Sequence, residues 1–459
     1  MKVLPAGPAN RDERRCLRYL LAMFKRLNPF AGLPNPREVW AWTMYDAAAQ
    51  SFTLIINSVL FAVFFKDVIM AGDKDAEKYW SMMAGGSLLF VCLLAPPLGA
   101  LADERGMKKT FLIIVGLICS LCTIGLGLLG AGHLWWAVAL YMPANFAYGM
   151  SNVFLSAFLP QVANEKNMGR VSAIGWGSGY VASLVMLGAS YFAMKYAGLD
   201  DPARWSPLII GAGLWYMLLA IPTVIWLHEK RTVPVNRAGN PFVVAFGRLA
   251  KTAREASRFR QLLRFLIIFF IYNIAVQTVV YFSSLIIARF GVHGSELVLF
   301  MLPVSLFAGV GAVITGAVQD RIGHRTTVMA WLGVWSVNAL AFLLVPKPAD
   351  GSDAAPGVLW VVSCGLGLGL GGIGTAGRAL VGKFTPADKT AEFFGLWGLM
   401  YKLGAVVGVG LFGFVLAAFG DRVAYSALAG LFILGLILMT TVDEQAGADA
   451  AKMIPPAPP

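Results

Sequence analysis

The sequence predicts an all-α integral membrane protein of twelve transmembrane helices, arranged as two pseudo-symmetric bundles of six. Three observations carry that reading. Apolar residues make up 58% of the 459-residue chain and charged residues only 14%, with a mean hydropathy of +0.69, and apolar runs long enough to cross hydrocarbon recur throughout. A polar pattern in the first run, Tyr45, Asp46, Gln50 and Ser51, returns as Tyr272, Asn273, Gln277 and Thr278 at a constant offset of 227. Lys and Arg are also lopsided: with both termini in the cytoplasm, 27 of the 37 fall on that side, counting Arg264 with the central linker, and 8 on the other. Such a bias sets orientation in a bilayer. The net charge of +12 therefore answers to anionic membrane lipid and not to nucleic acid.

Residues 1–39 form a basic cytoplasmic tail, interrupted by prolines, in which Leu17, Leu20, Leu21, Phe24 and Leu27 make one apolar face. That suits a helix lying on the inner leaflet. The first bundle occupies 40–228, with spans at 40–65, 79–102, 110–131, 135–159, 171–196 and 208–227. A linker at 229–262 carries a basic amphipathic segment fitted to the membrane surface. The second bundle occupies 263–442, with spans at 263–287, 297–318, 326–345, 358–382, 393–418 and 423–442, and 443–459 reads as a disordered tail.

Span 1 holds the feature around which the rest is organised. Asp46, Gln50, Thr53 and Asn57 stand at i, i+4, i+7 and i+11, one face of an α-helix. An ionisable group within hydrocarbon is costly, which makes Asp46 a functional candidate by default. Span 7 repeats the stripe with Tyr272, Asn273 and Gln277, and Tyr45 opens the first copy. Ser51 and Thr278 read as packing residues. Span 4 offers a second stripe, Tyr141, Asn145, Tyr148 and Asn152, in which Asn145, Tyr148 and Asn152 suit a hydrated wall and the tyrosines equally suit packing. Span 10 is glycine-rich from Gly365 to Gly377, without the strand or the Lys-Ser or Lys-Thr of a phosphate loop, so its glycines permit close helix approach. Arg378 follows them, and Tyr401 and Lys402 stand in span 11.

Other chemistry finds little footing. Cys119 and Cys122 form a C-x-x-C within an apolar span, lacking the context of a redox motif. The four histidines stand at loops or span ends without metal-ligand spacing, so no catalytic residue, metal or cofactor is expected.

The loop after span 2 reads Gly99-Ala-Leu-Ala-Asp103-Glu-Arg105-Gly-Met-Lys108-Lys109, and the loop after span 8 reads Gly316-Ala-Val-Gln-Asp320-Arg321-Ile-Gly-His-Arg325. An aspartate at a helix mouth can accept from the N-terminal amides of an opposing helix or from arginine. This pair of loops resembles the Gly-x-x-x-Asp-Arg-x-Gly-Arg-Lys loops of the major facilitator superfamily. The segment Gly169-Arg170-Val-Ser-Ala-Ile-Gly-Trp176-Gly, its counterpart Ala391-Glu392-Phe-Phe-Gly-Leu-Trp397-Gly, and the Tyr45-Asp46 opening are similar to one branch, the autophagy-related vacuolar effluxer-like family, over about 40–442. The resemblance implies two halves rocking about a central site, with Asp320 near Arg170 and Asp103 near the start of span 11. Arg105, Arg321, Arg325 and Glu392 would complete the cytoplasmic gates. The chain departs from the family at Ala47, Ala48 and Ala49, where an indole and an amide are usual, which would reshape the site.

An acid in one half and a base in the other suit a zwitterion, so a small-molecule substrate of the amino acid or small peptide class is expected, with Trp176 in the wall and a proton or another ion for coupling. Drugs, sugars and organic ions remain open, and a lipid flippase or scramblase is the competing class. The protein is expected to be a monomer in the cell membrane, the inner membrane of a Gram-negative source.

Overall fold

The computed structural model describes residues 29–163, 167–229, 241–256, 258–345, 357–386 and 389–452. The amphipathic face placed at Leu17 to Leu27 lies outside them. The first span begins as α1, Pro36–Ser51, then winds as a π-helix over Phe52–Val59 and again over Phe65–Ile69, with a bend of 45° at Leu60. The bundle continues with α2 Ala76–Arg105, α3 Lys108–Leu126, α4 Leu134–Val162, α5 Met168–Ala197 and α6 Ser206–Trp226. A linker helix α7, Pro241–Ala256, leads to α8 Arg260–Ala288, α9 Gly294–Ile322, α10 His324–Leu344, α11 Val358–Lys383, α12 Thr390–Met439 and α13 Glu444–Lys452.

Among the described residues, nine helices are long and apolar enough to cross a bilayer, and the bent first pair makes ten. Gly420 splits the 50-residue α12 into two limbs, because its φ of 76° and ψ of 177° belong to no helix and only glycine adopts them cheaply. α4, 29 residues long with Pro143, Asn145 and Asn152 inside it, is not among these spans. The chain is a multi-pass helical membrane protein.

The halves meet along α2 with α12 and along α5 with α9. Glycine makes the first seam close: a methyl at Gly85 would lie 2.5 Å from the Gly410 Cα. In hydrocarbon, where burying apolar surface drives little, such close backbone contact is what joins helices. The end of the bundle carrying Pro36 and Met439 is here the terminal face, and the end carrying Gly72 and Gly420 the distal face.

Two expectations change. The tail is helical through Lys452, because Glu444 at the start of α13 accepts from the His324 and Arg325 amides at 3.1 and 2.9 Å and from Lys383 at 2.7 Å. Ala47, Ala48 and Ala49 are all buried, so the missing indole alters helix packing and not an open wall.

Candidate functional site

The site is built where α1 meets α5 and where α8 meets the first limb of α12, two pairs related by the internal repeat. On α1, Asp46 and Gln50 point one turn apart at the glycine stripe of α5. A methyl at Gly175 would lie 2.7 Å from the Trp42 ring and 3.5 Å from Asp46 Oδ2, and one at Gly179 would lie 3.1 Å from Gln50 Nε2. The missing side chains leave room for two polar groups. Both are part-buried, and neither makes a hydrogen bond or ion pair among the described residues.

In the second half the matching amides are engaged. Asn273 Nδ2 donates to the Tyr401 carbonyl at 2.8 Å, and Gln277 Nε2 donates to Asn273 Oδ1 at 3.3 Å. The facing glycines are Gly404 and Gly408, whose methyls would meet Asn273 Nδ2 at 2.6 Å and the Ile274 carbonyl at 2.3 Å. Above them Phe269, Trp397 and Tyr401 form an aromatic cluster, with Phe269 5.3 Å from Trp397 and 6.4 Å from Tyr401 between centroids. The Arg378 guanidinium lies over the Trp397 ring at 5.8 Å, a placement that holds the cation by the ring's electron density. Tyr180 and Tyr401 lie within electrostatic range of Arg378. Arg378 is exposed and Tyr401 is 44% exposed, so neither is enclosed by protein at this level of the bundle.

Lys402 follows Tyr401 and faces Cys92 on α2, again with no hydrogen bond or ion pair among the described residues. Its depth follows from the repeat. Asn273 is the counterpart of Asp46 and holds the carbonyl of Tyr401, one residue away, so the unpaired acid and the unpaired ammonium belong to one level and to opposite halves.

Several expected site residues are placed elsewhere. Asn57 is 1% exposed, accepts from Tyr141 at 2.9 Å, and donates to Asn145 at 3.0 Å and Tyr281 at 3.4 Å; Asn145, also 1% exposed, donates to Ser87 at 2.7 Å. Their bonding capacity is spent, so in this conformation they tie the bundle instead of lining a cavity. The stripe assumes an even α-helical turn, and the π winding that begins at Phe52 moves Asn57 off it. Thr53 donates to the Tyr148 hydroxyl at 2.7 Å, and Asn152 to the Tyr148 carbonyl at 3.1 Å. Tyr45 is packed in its own bundle, donating to the Leu112 carbonyl at 2.9 Å, and Tyr272 is buried with its hydroxyl unbonded among the described residues. The side chains of Trp176 and Asp103 lie outside the described residues.

The gate residues also differ from expectation. Arg170 donates to the Pro29 and Ala31 carbonyls at 2.8 and 2.9 Å, while Asp320 is 79% exposed beside His324. Arg325 donates to the Met439 and Thr440 carbonyls, Arg105 and Arg321 are exposed, and Glu392 accepts from Thr252 of α7 at 3.5 Å. The helix-mouth role falls to two acids the sequence reading passed over. Glu229 accepts from the Lys108 and Lys109 amides at 3.0 and 3.1 Å, as Glu444 does from His324 and Arg325. Their signal is positional: each follows its half's sixth span, in Leu227-His228-Glu229 and Val442-Asp443-Glu444.

Among the described residues, several direct bonds between the halves lie in the distal half. Trp80 donates to the Tyr281 carbonyl at 3.2 Å, Ser283 to that of Ser58 at 2.9 Å, and the Gly413 amide to Ser81 at 2.8 Å. The Ser295 amide donates to Asp200 at 2.7 Å, and Arg289 pairs with Glu77 at 2.8 Å.

Two halves built of long apolar helices, bonded together at the distal face and holding polar side chains between their ends, suit a membrane transporter of the major facilitator kind. The profile of the "Vacuole effluxer Atg22 like" family matches residues 68–452, and the chain belongs to that family. It is 23% identical over 423 residues to the uncharacterized MFS-type transporter YxiO of Bacillus subtilis (strain 168), covering 90% of this chain and 96% of that one. It spans about half, 52%, of the length of the autophagy-related protein 22 of Botryotinia fuckeliana, to which it is 27% identical over 310 residues, or 62% of this chain. Among solved structures, a point mutant of the nucleoside transporter NupG superposes with a TM-score of 0.68 at 13% identity, covering 88% of this chain and 99% of that one. A D-xylose-proton symporter gives 0.65 at 15%, covering 90% and 98%.

Proposed function

We propose that this chain carries a small zwitterionic solute, of the amino acid or small peptide class, across the cell membrane by alternating access, with both termini in the cytoplasm. The observation that carries the reading is that Asp46 in one half and Lys402 in the other make no hydrogen bond or ion pair among the described residues, at levels the internal repeat makes equivalent, with Arg378 beside Lys402's half of the site. An isolated charge away from bulk water is costly unless paired. A bound ammonium at Asp46 and a bound carboxylate at Lys402 or Arg378 would satisfy both halves at once and draw them together. The nucleoside and xylose carriers that share the fold take solutes without that charge pattern, and such a solute would leave Asp46 and Lys402 uncompensated in the occupied site. The groove of about 320 Å³ between α2 and α12 is lined by Met82, Leu89, Val406, Leu411 and Phe414 and offers a lipid headgroup little beyond Ser81.

A second role for Asp46 has support of its own. It is the one acid expected well inside a span, and a neighbour in fold is a proton symporter, so proton coupling can run through the same carboxyl. The test is a thermal-shift screen of the purified protein against amino acids, dipeptides, nucleosides and pentoses, since selective binding stabilises the folded state. A zwitterion is expected to stabilise the wild type, with that stabilisation lost in Asp46→Asn and in Lys402→Met. Stabilisation by an uncharged solute alone, retained in both variants, overturns the reading. Asp46→Asn that binds normally but no longer accumulates solute against a gradient assigns the proton role instead.

A further inference from the structure

Four charged side chains form one bonded cluster on the distal face. Glu77, on the first turn of α2 and 6% exposed, accepts from Lys66 at 2.8 Å and from Arg289 at 2.8 Å, and Arg289 bonds Asp421 at 2.5 Å. Lys66 and Glu77 belong to the first half. Arg289, at the end of α8, and Asp421, just past the Gly420 break of α12, belong to the second. One contact of the three, Arg289 to Glu77, crosses between halves.

We propose that this cluster is a separable lock in which the Arg289–Glu77 bond is the part that opens, while Lys66 and Asp421 are standby partners that keep each half neutral once the bond is broken. The inference rests on the alternating-access reading. A single cross-half ion pair at this level would leave a carboxylate on one side and a guanidinium on the other whenever the distal mouth parted, and an uncompensated charge beside low-dielectric protein is costly. Here the bonded cluster holds two acids and two cations, and on parting Glu77 keeps Lys66 and Arg289 keeps Asp421, with Asp67, a further acid on the first half, near Lys66, Glu77 and His293. Within this cluster, opening breaks one bond and leaves neither Glu77 nor Arg289 without a partner. Arg289 suits the bridging position because its planar fork meets two acids from different nitrogens, Nη2 on Glu77 and Nη1 on Asp421, which a lysine cannot reproduce.

The lock makes an unusual prediction about sign. Removing the crossing bond favours the open distal mouth, whereas removing a standby partner favours the closed one, because the opened half would then hold a lone charge. The measurement is the spin-label distance between Lys74→Cys and Glu296→Cys, both exposed and on opposite halves of the distal face, in full-length protein in lipid nanodiscs with the native cysteines replaced. In Arg289→Gln the ratio of long to short distances is expected to rise about fivefold or more. In Asp421→Asn and in Lys66→Met it is expected to fall below the wild-type ratio. Arg289→Lys keeps the charge and guards against a folding defect, and is expected to lie between wild type and Arg289→Gln. Widening in Asp421→Asn equal to that in Arg289→Gln, or no widening in Arg289→Gln, overturns the lock. A second label pair across the terminal face separates the two ideas: solute-dependent movement there, without the sign reversal at the distal face, removes the lock and leaves the transport reading standing.

Discussion

The two helix pairs at the centre of the bundle, α1 with α5 and α8 with the first limb of α12, share a backbone plan and differ in chemistry. In each pair two glycines four residues apart, Gly175 and Gly179 or Gly404 and Gly408, bring the second helix against a polar stripe on the first. In the second half the stripe bonds inward, Asn273 to the Tyr401 carbonyl and Gln277 to Asn273. In the first half Asp46 and Gln50 bond to none of the described residues. The duplicated scaffold therefore holds one copy of the stripe as structure and keeps the other unsatisfied, which is where a ligand can be worth most. Replacing an amide by an acid at one position separates the two uses.

The largest expected effect comes from exchanging those residues. Asn273→Asp removes the donor to the Tyr401 carbonyl and places an acid among buried groups, and it is expected to cost about 3 kcal/mol of stability. Asp46→Asn is expected to do the reverse in the absence of solute: it removes an uncompensated charge and leaves the thermal midpoint equal or higher, while weakening zwitterion binding about 30-fold or more. Stability and binding would then move in opposite directions at one site, the trade expected where strain serves function. Thermal unfolding in detergent reads both. A loss of stability in Asp46→Asn comparable to that in Asn273→Asp would make the two stripes equivalent and remove the contrast.

Much of this was legible in the residues. The repeat from Tyr45 to Thr278 places both stripes, and the charge bias and apolar runs place the spans, because a bilayer imposes length and polarity on every segment. What stayed hidden depends on winding and on neighbours distant in sequence. The π segment at Phe52–Val59 has no one-dimensional signature, so Asn57 looks like a member of the Asp46 stripe when it is bonded to α4 and α8. Trp397, one turn before Tyr401, supports Arg378 only because α11 and α12 are adjacent in space. Asp103 and Asp320 carry the recognisable loop pattern, yet the amides of α3 and α10 are taken by Glu229 and Glu444, whose only cue is their place after the sixth span of each half.

The glycines give the next effect. Gly408→Ala would drive a methyl to within 2.3 Å of the Ile274 carbonyl, a backbone atom that cannot step aside, whereas Gly179→Ala meets Gln50 Nε2 at 3.1 Å, the end of a flexible side chain with no bond among the described residues. About 1–3 kcal/mol is expected for the first and under about 1 kcal/mol for the second. Equal losses of thermal midpoint would mean that the first half is as tightly fixed as the second.

A smaller contrast lies in the two tyrosines that open the stripes. Tyr45 donates to the Leu112 carbonyl at 2.9 Å, and Tyr272 has no partner for its hydroxyl among the described residues. Tyr45→Phe is expected to cost about 1 kcal/mol, and Tyr272→Phe to be neutral or slightly stabilising, because an unbonded buried hydroxyl is itself a cost. Paired unfolding curves decide it, and a larger loss from Tyr272→Phe would assign that hydroxyl a partner in another conformation.

The smallest effect compares the acids at the two helix mouths. Glu229 meets the Lys108 and Lys109 amides at the start of α3, and Glu444 meets the equivalent amides of α10 with Lys383 added at 2.7 Å. Burial works against the Glu444 carboxylate, but the Lys383 ammonium and the Arg325 and His324 amides outweigh it and bring its pKa down to about 2, below the ordinary 4.5. A carboxyl whose folded pKa is depressed stabilises the fold above its unfolded pKa, and that contribution disappears as the pH falls from about 4.5 towards 2. Glu444→Gln is therefore expected to lower stability by about 0.5–1 kcal/mol at neutral pH, the range for a charge at a helix N-terminus, and to converge on the wild type as the pH drops through that window. Because α13 is held to α10 through this side chain, the same variant is expected to free residues 444–452 for faster amide exchange. A difference between variant and wild type that persists at pH 2 would show that Glu444 acts through shape, with its charge contributing nothing.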